Sequence, residues 1–159
     1  MRLYFLRHGV APDRETWKGS DEERPLTQAG RERIAREAKR IAQLGLGIEA
    51  IVTSPLLRAR QTAEIAARKL DLTERLAQDE RLALSFDEAR LAEVLASYAG
   101  VGSLLLVGHE PSMSRTIGRI VGGAAIELKK GALAGIELAG LHPPRGTLLL
   151  LAPPKLLSR

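Results

Sequence analysis

The chain has 159 residues, of which 45% are hydrophobic, 27% charged and 3% aromatic, and it carries a net charge of +5 without any cysteine. This length suits one domain, and the composition is ordinary for a globular protein in water. The lack of cysteine excludes disulfides, thiolate metal ligands and a cysteine nucleophile. A basic chain suggests a nucleic-acid partner, but base-stacking sites need aromatic side chains, so we expect no nucleic-acid partner.

The apolar segments of the chain are all short. None approaches the roughly 18 residues of a membrane span, so we expect no membrane association. The first apolar run, residues 3–6, leads directly into Arg7, which is not the pattern of a signal peptide. We therefore expect a cytoplasmic protein.

Short apolar runs alternate with segments of helical periodicity over most of the chain. The predicted strands are 2–6, 48–52 and 103–107. The predicted helices are 28–44, 55–70, 88–98 and 111–121. Thr27 and Ser54 are the predicted N-caps of the first two helices. This alternation predicts a mostly parallel sheet with helices on both faces.

The last part of the chain has a different pattern. Two strand-like runs, 132–138 and 147–151, are joined by a loop with glycine and proline at 140–146. Such a connection is too short for a helical crossover, so these strands are predicted to be antiparallel neighbours. The predicted fold class is α/β: a single domain, 1–159, forming a three-layer αβα sandwich whose mixed sheet is mostly parallel with an antiparallel C-terminal strand.

Cationic and imidazole side chains follow the predicted parallel strands. Arg7 and His8 follow the first strand. Arg58 lies one turn into the helix after the second strand, and His109 follows the third. Parallel strands end at one edge of a sheet, where ligands bind, and helix N-termini add free N–H groups there. Taken alone, His8 is equally well explained by a structural role, and Arg58 is better explained as a residue of the helix surface. Their recurrence with His109 at three strand ends nevertheless predicts a site for a dianion such as phosphate.

The residue types fit phosphoryl chemistry. An arginine fork binds phosphate through two parallel hydrogen bonds and keeps its charge. A neutral imidazole nitrogen acts as a nucleophile near pH 7. We expect the surrounding positive charge to keep His8 neutral by disfavouring a second proton. His142 has no such neighbours in the sequence and is interpreted as a structural residue.

Four segments of the chain match motifs of a known family. They are residues 6–9 (LRHG), 24–27 (RPLT), 54–62 (SPLLRARQT) and 108–111 (GHEP). Together and in this order they resemble the histidine phosphatase superfamily, whose fold is that of phosphoglycerate mutase. More narrowly, they resemble the SixA-type phosphohistidine phosphatases, and the short chain suits that type.

The resemblance implies a role for each matching residue. His8 is the expected nucleophile, which becomes phosphorylated before water releases the phosphate. Arg7, Arg58 and His109 are expected to hold the phosphoryl oxygens. Arg24 is implied as a further phosphate contact, although its position in a polar loop alone suggests an exposed charge. No cofactor and no metal are implied, and no set of acidic and histidine residues has metal-ligand spacing.

The sequence does not single out one residue as the proton donor. Many relatives have asparagine after the second histidine, where this chain has Glu110. Glu110 is either a general acid or a first-turn acid favoured by the helix dipole. Asp79 or Glu80 is the other candidate general acid. SixA-type enzymes work without a dedicated acid, because the imidazole of a phosphohistidine leaves more readily than an alkoxide.

The sequence therefore predicts a metal-independent phosphatase with a covalent phosphohistidine intermediate on His8. The expected partner is a protein carrying phosphohistidine or a small phosphorylated metabolite such as a sugar or nucleotide phosphate, and the resemblance favours the first. The non-enzymatic alternatives are a phosphate-binding module and an RNA-binding module. The former has no use for His8, and the latter requires nucleic-acid affinity with a steep salt dependence.

Overall fold

Six strands form one mixed sheet in the computed structural model, which describes residues 1–159. The strands are β1 (Arg2–Arg7), β2 (Ala50–Thr53), β3 (Leu76–Gln78), β4 (Ser103–Gly108), β5 (Leu133–Leu141) and β6 (Pro144–Ala152). Their order across the sheet is β3-β2-β4-β1-β5-β6. The pairs among β1 to β4 are parallel, whereas β5 is antiparallel to β1 and β6 to β5. The predicted mixed sheet with an antiparallel C-terminal strand is confirmed.

Helices connect the parallel strands, and a short helix is the last element of the structure. They are α1 (Gln28–Gln43), α2 (Leu57–Leu70), α3 (Glu88–Ser97), α4 (Ser112–Ile120) and α5 (Pro154–Leu157), and single 3₁₀ turns at Thr73–Arg75 and Glu80–Leu82 flank β3. Thr27 caps α1 as predicted, since its hydroxyl accepts a hydrogen bond from Gly30 N at 2.9 Å. None of these helices combines the length and apolar character needed to cross a lipid bilayer.

Alternate residues of the central strands face two separate hydrophobic cores. In β1, Leu3 and Phe5 belong to one cluster, while Tyr4 and Leu6 belong to the other. Helices α3 and α4 cover the first cluster, and α1 and α2 cover the second. This is the predicted three-layer arrangement. Burial on both faces also explains why the central strands are continuous apolar runs in the sequence.

The C-terminal hairpin is longer than predicted. β5 ends at Leu141 and β6 begins at Pro144, so a two-residue turn at 142–143 replaces the predicted loop at 140–146. Proline is tolerated there because β6 is an edge strand and Pro144 is its first residue. A shift in register next to Gly140 keeps the two strands paired through this segment.

Candidate active site

The carboxyl ends of β1, β2 and β4 lie side by side at one edge of the sheet. Backbone hydrogen bonds extend the pairing past the strand ends. His8 N donates to Gly108 O at 3.1 Å, and Ser54 N donates to Val107 O at 3.0 Å. The rings of His8 and His109 thereby come within 5.2 Å of each other, centroid to centroid, with their planes inclined by 55°.

A cavity of about 290 Å³, the site cavity, opens at this edge. Its lining includes the predicted phosphate-site residues and one candidate acid: Arg7, His8, Arg24, Arg58, His109 and Glu110. His8 is 6% exposed, and Arg58 and His109 are each 2% exposed. The structure therefore brings these predicted residues to one place, with the side chains of His8, Arg58 and His109 nearly buried, while their chemical roles remain predictions.

The backbone holds His8 in one tautomer. Nδ1 of His8 lies 2.7 Å from the carbonyl oxygen of Gly9, and because a carbonyl only accepts, Nδ1 carries the proton and Nε2 keeps a free lone pair. Gly9 N in turn donates to Thr62 Oγ1 at 3.1 Å. A side chain is excluded at Gly9, since a Cβ there would lie 2.5 Å from Cγ1 of Ile34. The turn after β1 is therefore fixed with Nε2 as the ring nitrogen available for attack.

Both histidines are neutral at physiological pH. Burial lowers the pKa of His8 to about 2; the hydrogen bond to Gly9 opposes this shift, and the charges of His109, Arg58 and Arg7 add to it. Burial, followed by the charge of Arg58, lowers the pKa of His109 to about 3. The sequence predicted a neutral His8 from its positive neighbours, but burial is the larger cause.

One carboxylate holds two of the arginines in place. Asp21 accepts hydrogen bonds from Arg58 through its backbone oxygen at 2.8 Å and through Oδ2 at 3.1 Å. Nε of Arg24 donates to Oδ1 of Asp21 at 3.0 Å. Burial acts to raise the pKa of Asp21, but the hydrogen bonds and charges of Arg24 and Arg58 outweigh it and hold the pKa below its usual value. Asp21 is therefore the ionised counterion of both guanidinium groups.

Asp21 is absent from the predicted site, although the sequence contains a signal for it. It precedes Arg24 by three residues, a spacing at which a turn brings an acid and a base together. The Arg24 side chain is only 12% exposed, because Nη1 also donates to Pro12 O at 2.7 Å and the loop folds onto the cavity. The polar neighbours of Arg24 in the sequence suggest an exposed charge, but the side chain is largely buried.

Ser54 contacts His109 instead of capping α2. The helix begins at Leu57, and its preceding residue makes no side-chain cap, so the predicted N-cap at Ser54 is wrong. The Ser54 hydroxyl lies 2.7 Å from Nε2 of His109 and accepts a hydrogen bond from Leu56 N at 3.2 Å. This contact gives a hydrogen-bond partner to one of the two nitrogens of the buried His109 ring. Sequence rules for helix N-caps consider only neighbouring residues, so they do not detect the contact between Ser54 and His109.

The candidate acids lie in different surroundings. Glu110 lines the site cavity, and its Oε1 accepts a hydrogen bond from Ser114 N at 2.9 Å near the start of α4. Glu80 is exposed in the 3₁₀ turn after β3 and does not line the site cavity. Asp79 also lies outside the cavity lining, and its carboxylate pairs with Arg81 at 2.6 Å. Of the candidate acids, only Glu110 is brought to the predicted site.

Several side-chain nitrogen atoms of the site have no hydrogen-bond partner. Nη1 of Arg7 donates to Leu128 O at 3.0 Å. Nε of Arg7, Nε of Arg58 and Nδ1 of His109 are buried and have no hydrogen-bond partner. A buried polar atom without a partner costs about 1–3 kcal/mol. The arrangement fits a tetrahedral oxyanion.

Comparison with known proteins identifies the family. The model of the histidine phosphatase superfamily (branch 1) matches residues 3–86. A protein of Picosynechococcus sp., described as uncharacterized, is 40% identical over an alignment of 164 positions, gaps included, that covers 98% of each chain. The chain belongs to the histidine phosphatase superfamily. His109 lies beyond the matched residues, so its place at the candidate site is seen from the structure alone.

Two solved structures share the fold over nearly the whole chain. The protein histidine phosphatase SixA complexed with tungstate superimposes with a TM-score of 0.87 at 26% identity, and 99% of both chains is covered. The alpha-ribazole phosphatase from Shigella flexneri superimposes with a TM-score of 0.73 at 18% identity, and 97% of both chains is covered. At that lower identity the second likeness shows the fold alone. The predicted SixA-like fold is confirmed.

Proposed function

We propose that this histidine phosphatase hydrolyses phosphoryl groups through a covalent phosphohistidine on His8, without a metal ion. The observation that carries the proposal is the hydrogen bond from His8 Nδ1 to Gly9 O, because it leaves Nε2 free in a cavity lined by arginines. A neutral nitrogen beside several guanidinium groups is suited to attack a phosphate dianion. The likeness to SixA, whose structure contains the oxyanion tungstate, supports the same interpretation.

The proposed reaction consists of two displacements at phosphorus. First, the lone pair of His8 Nε2 attacks phosphorus, and the leaving group departs with the electron pair of its own bond. Arg7, Arg58 and His109 stabilise the charge on the phosphoryl oxygens during transfer, with Arg24 as a further contact. A water molecule then attacks the phosphohistidine and gives up a proton to solvent. Nε2 recovers its lone pair as orthophosphate leaves.

In this proposal, guanidinium groups supply the positive charge that a metal ion supplies elsewhere. Arg58 is fixed by Asp21, and Arg7 is fixed by the carbonyl of Leu128. Fixed charges stabilise a transition state without reorganising during the reaction. Each hydrogen bond to a charged partner contributes about 1.5–3 kcal/mol, so a few such bonds lower the barrier substantially.

The proposed substrate is phosphohistidine on a protein. An imidazole leaving group needs little protonation, and the acid at the cavity, Glu110, is already hydrogen-bonded to Ser114 N. We therefore assign no dedicated proton donor. The second candidate is a small phosphomonoester such as a sugar or nucleotide phosphate. It is favoured by a further cavity of about 490 Å³ next to the site, which is large enough for a metabolite.

Turnover of an aryl phosphate tests the proposed chemistry. We expect hydrolysis that EDTA does not change, that vanadate inhibits and that His8→Ala abolishes. His142→Ala is the matched control, since His142 lies in the exposed hairpin turn and should keep full activity. Hydrolysis that persists in His8→Ala, or that chelation removes, contradicts the proposal. No turnover at all in the unaltered protein favours a phosphate- or RNA-binding module.

The substrate class is tested by ranking kcat/KM values. The unaltered protein is supplied with a phosphohistidine-containing protein and with a panel of sugar and nucleotide phosphates. A higher kcat/KM for the phosphohistidine protein supports the proposed substrate. A higher value for one of the metabolites replaces it with the second candidate while leaving the covalent mechanism intact.

A further inference from the structure

A second cavity, here called the basic cavity, adjoins the site cavity and has a volume of about 490 Å³. Arg7 and Lys130 line both cavities. The basic cavity has eight lining residues, of which five are cationic and none is acidic: Arg7, Arg33, Lys129, Lys130 and Lys155. A concentrated positive charge therefore lies beside the reacting phosphoryl group, on residues that the proposed reaction does not use apart from Arg7.

The positive charge of the basic cavity comes from separate parts of the fold and is only partly neutralised. Lys129 and Lys130 precede β5, Lys155 lies in α5, and Arg33 lies in α1. Lys130 and Lys155 take part in no ion pair. Arg33 uses Nε to bind the buried Glu37 at 2.8 Å, which anchors the guanidinium group at the cavity. Mutual repulsion among these cations is relieved when an anion binds.

We propose that the substrate carries a second anionic group, a carboxylate or phosphate, which binds in the basic cavity while the reacting phosphoryl group lies in the site cavity. This inference rests on the proposed phosphatase function. Arg7 and Lys130 line both cavities, so one substrate is able to contact both at once. Binding at a distance from the reacting phosphorus is expected to act mainly by lowering KM.

Two sources offer this second anion with the same chemistry. One is an acidic side chain near the phosphohistidine of a protein, and the other is a second acidic group on a small metabolite. Two substrate series distinguish them. The first pairs alkyl monophosphates with alkane bisphosphates of graded chain length. The second pairs phosphohistidine peptides that differ only in having glutamate or glutamine near the phosphohistidine.

The expected result is a higher kcat/KM for the bis-anionic member of at least one series. We expect a preference of roughly 5-fold, arising from KM, because ion pairs at exposed lysines are individually weak. The double variant Lys129→Gln/Lys155→Gln should lose most of this preference. The matched control, Lys39→Gln/Lys69→Gln, removes two exposed lysines of α1 and α2 outside both cavities and should keep it. Added salt should weaken the preference in the unaltered protein.

The outcomes separate this inference from the proposed function. Preference in the bisphosphate series identifies a small-molecule source, and preference in the glutamate peptide identifies a protein source. Equal kcat/KM within every pair, with aryl phosphate still hydrolysed, overturns the inference and leaves the phosphatase function standing. A preference that survives in Lys129→Gln/Lys155→Gln also overturns it. Failure to hydrolyse any phosphate contradicts the proposed function itself.

Discussion

The hydroxyl oxygen of Ser54 lies 2.7 Å from Nε2 of His109, and both residues are almost fully buried. Ser54→Ala removes this partner and leaves the imidazole of His109 less firmly oriented. A lost hydrogen bond of this kind costs about 0.5–1.5 kcal/mol, so we expect kcat/KM for an aryl phosphate to fall roughly 2- to 10-fold. The measurement is steady-state kinetics, with thermal unfolding to show that the variant is folded. Unchanged kcat/KM in a folded Ser54→Ala protein contradicts this role.

The ion pairs of Asp21 with Arg24 and Arg58 lead to a second prediction. Asp21→Asn keeps the size of the side chain but removes the charge that holds both guanidinium groups. We expect kcat to fall and KM to rise, with a combined loss in kcat/KM of about 10-fold, because misplaced arginines bind the transition state less well. Asp71→Asn, at the exposed end of α2, is the matched control and should behave like the unaltered protein. Equal kinetics for both variants would show that Asp21 does not position the arginines.

The lowered pKa of His8 predicts an unusual pH profile. An ordinary histidine, with a pKa of about 6.5, loses its nucleophilic lone pair as the pH falls through that value. The pKa of His8 is lowered to about 2, so protonation inactivates it only far below that range. We expect no enzyme ionisation near pH 6.5 in kcat/KM measured between about pH 5 and 8. Two aryl phosphates of different acidity provide the control, since any inflection should move with the substrate. The same inflection near pH 6.5 for both contradicts a neutral, buried nucleophile.

Buried Glu37 predicts a pH-dependent contribution to stability. Burial raises its pKa to about 7, although Arg33 opposes the shift. The unfolded carboxyl ionises near 4.5 while the folded one still holds its proton, so stability falls as the pH rises from 4.5 to about 7 and stays lower above it. Glu37→Gln removes this loss and still offers an acceptor to Arg33.

Urea unfolding of both proteins at about pH 5 and pH 8 measures this effect. Glu37→Gln should gain stability relative to the unaltered protein, and the gain should be larger at pH 8. His8 and His109 act in the opposite direction, because their pKa values are lowered on folding, but both proteins contain them and their effect cancels in the comparison. An equal difference at the two pH values contradicts a raised pKa for Glu37.

The sheet and the convergence of His8 with His109 were predictable because each depends on a local signal. Strand β4 is buried on both faces and is therefore a continuous apolar run in the sequence. Neighbouring parallel strands end at a common edge, so the residues that follow β1, β4 and β2 meet there whatever the intervening helices do. Arg7 and Arg58 could be placed by the same argument.

The features of the site that the sequence did not predict depend largely on contacts between distant segments. Ser54 follows the local pattern of a helix cap, yet its hydroxyl pairs with a histidine from another strand end. Asp21 belongs to a polar loop whose path over the site is set by hydrogen bonds to α2 and to Pro12 O. Glu80 begins a 3₁₀ turn that the ion pair of its neighbours Asp79 and Arg81 stabilises. Asp21 lies 37 positions from Arg58 and Ser54 lies 55 positions from His109, so neither of these pairings is visible in the spacing of residues along the chain.

Trapping the phosphorylated enzyme tests the central claim most directly. The protein is mixed with excess aryl phosphate, quenched in alkali, where phosphohistidine survives, and digested for mass spectrometry. The account predicts one acid-labile phosphoryl group on the peptide that contains His8, formed and lost fast enough to support turnover and absent from His8→Ala. Turnover with no phosphorylated peptide, or with the phosphoryl group on another residue, contradicts it.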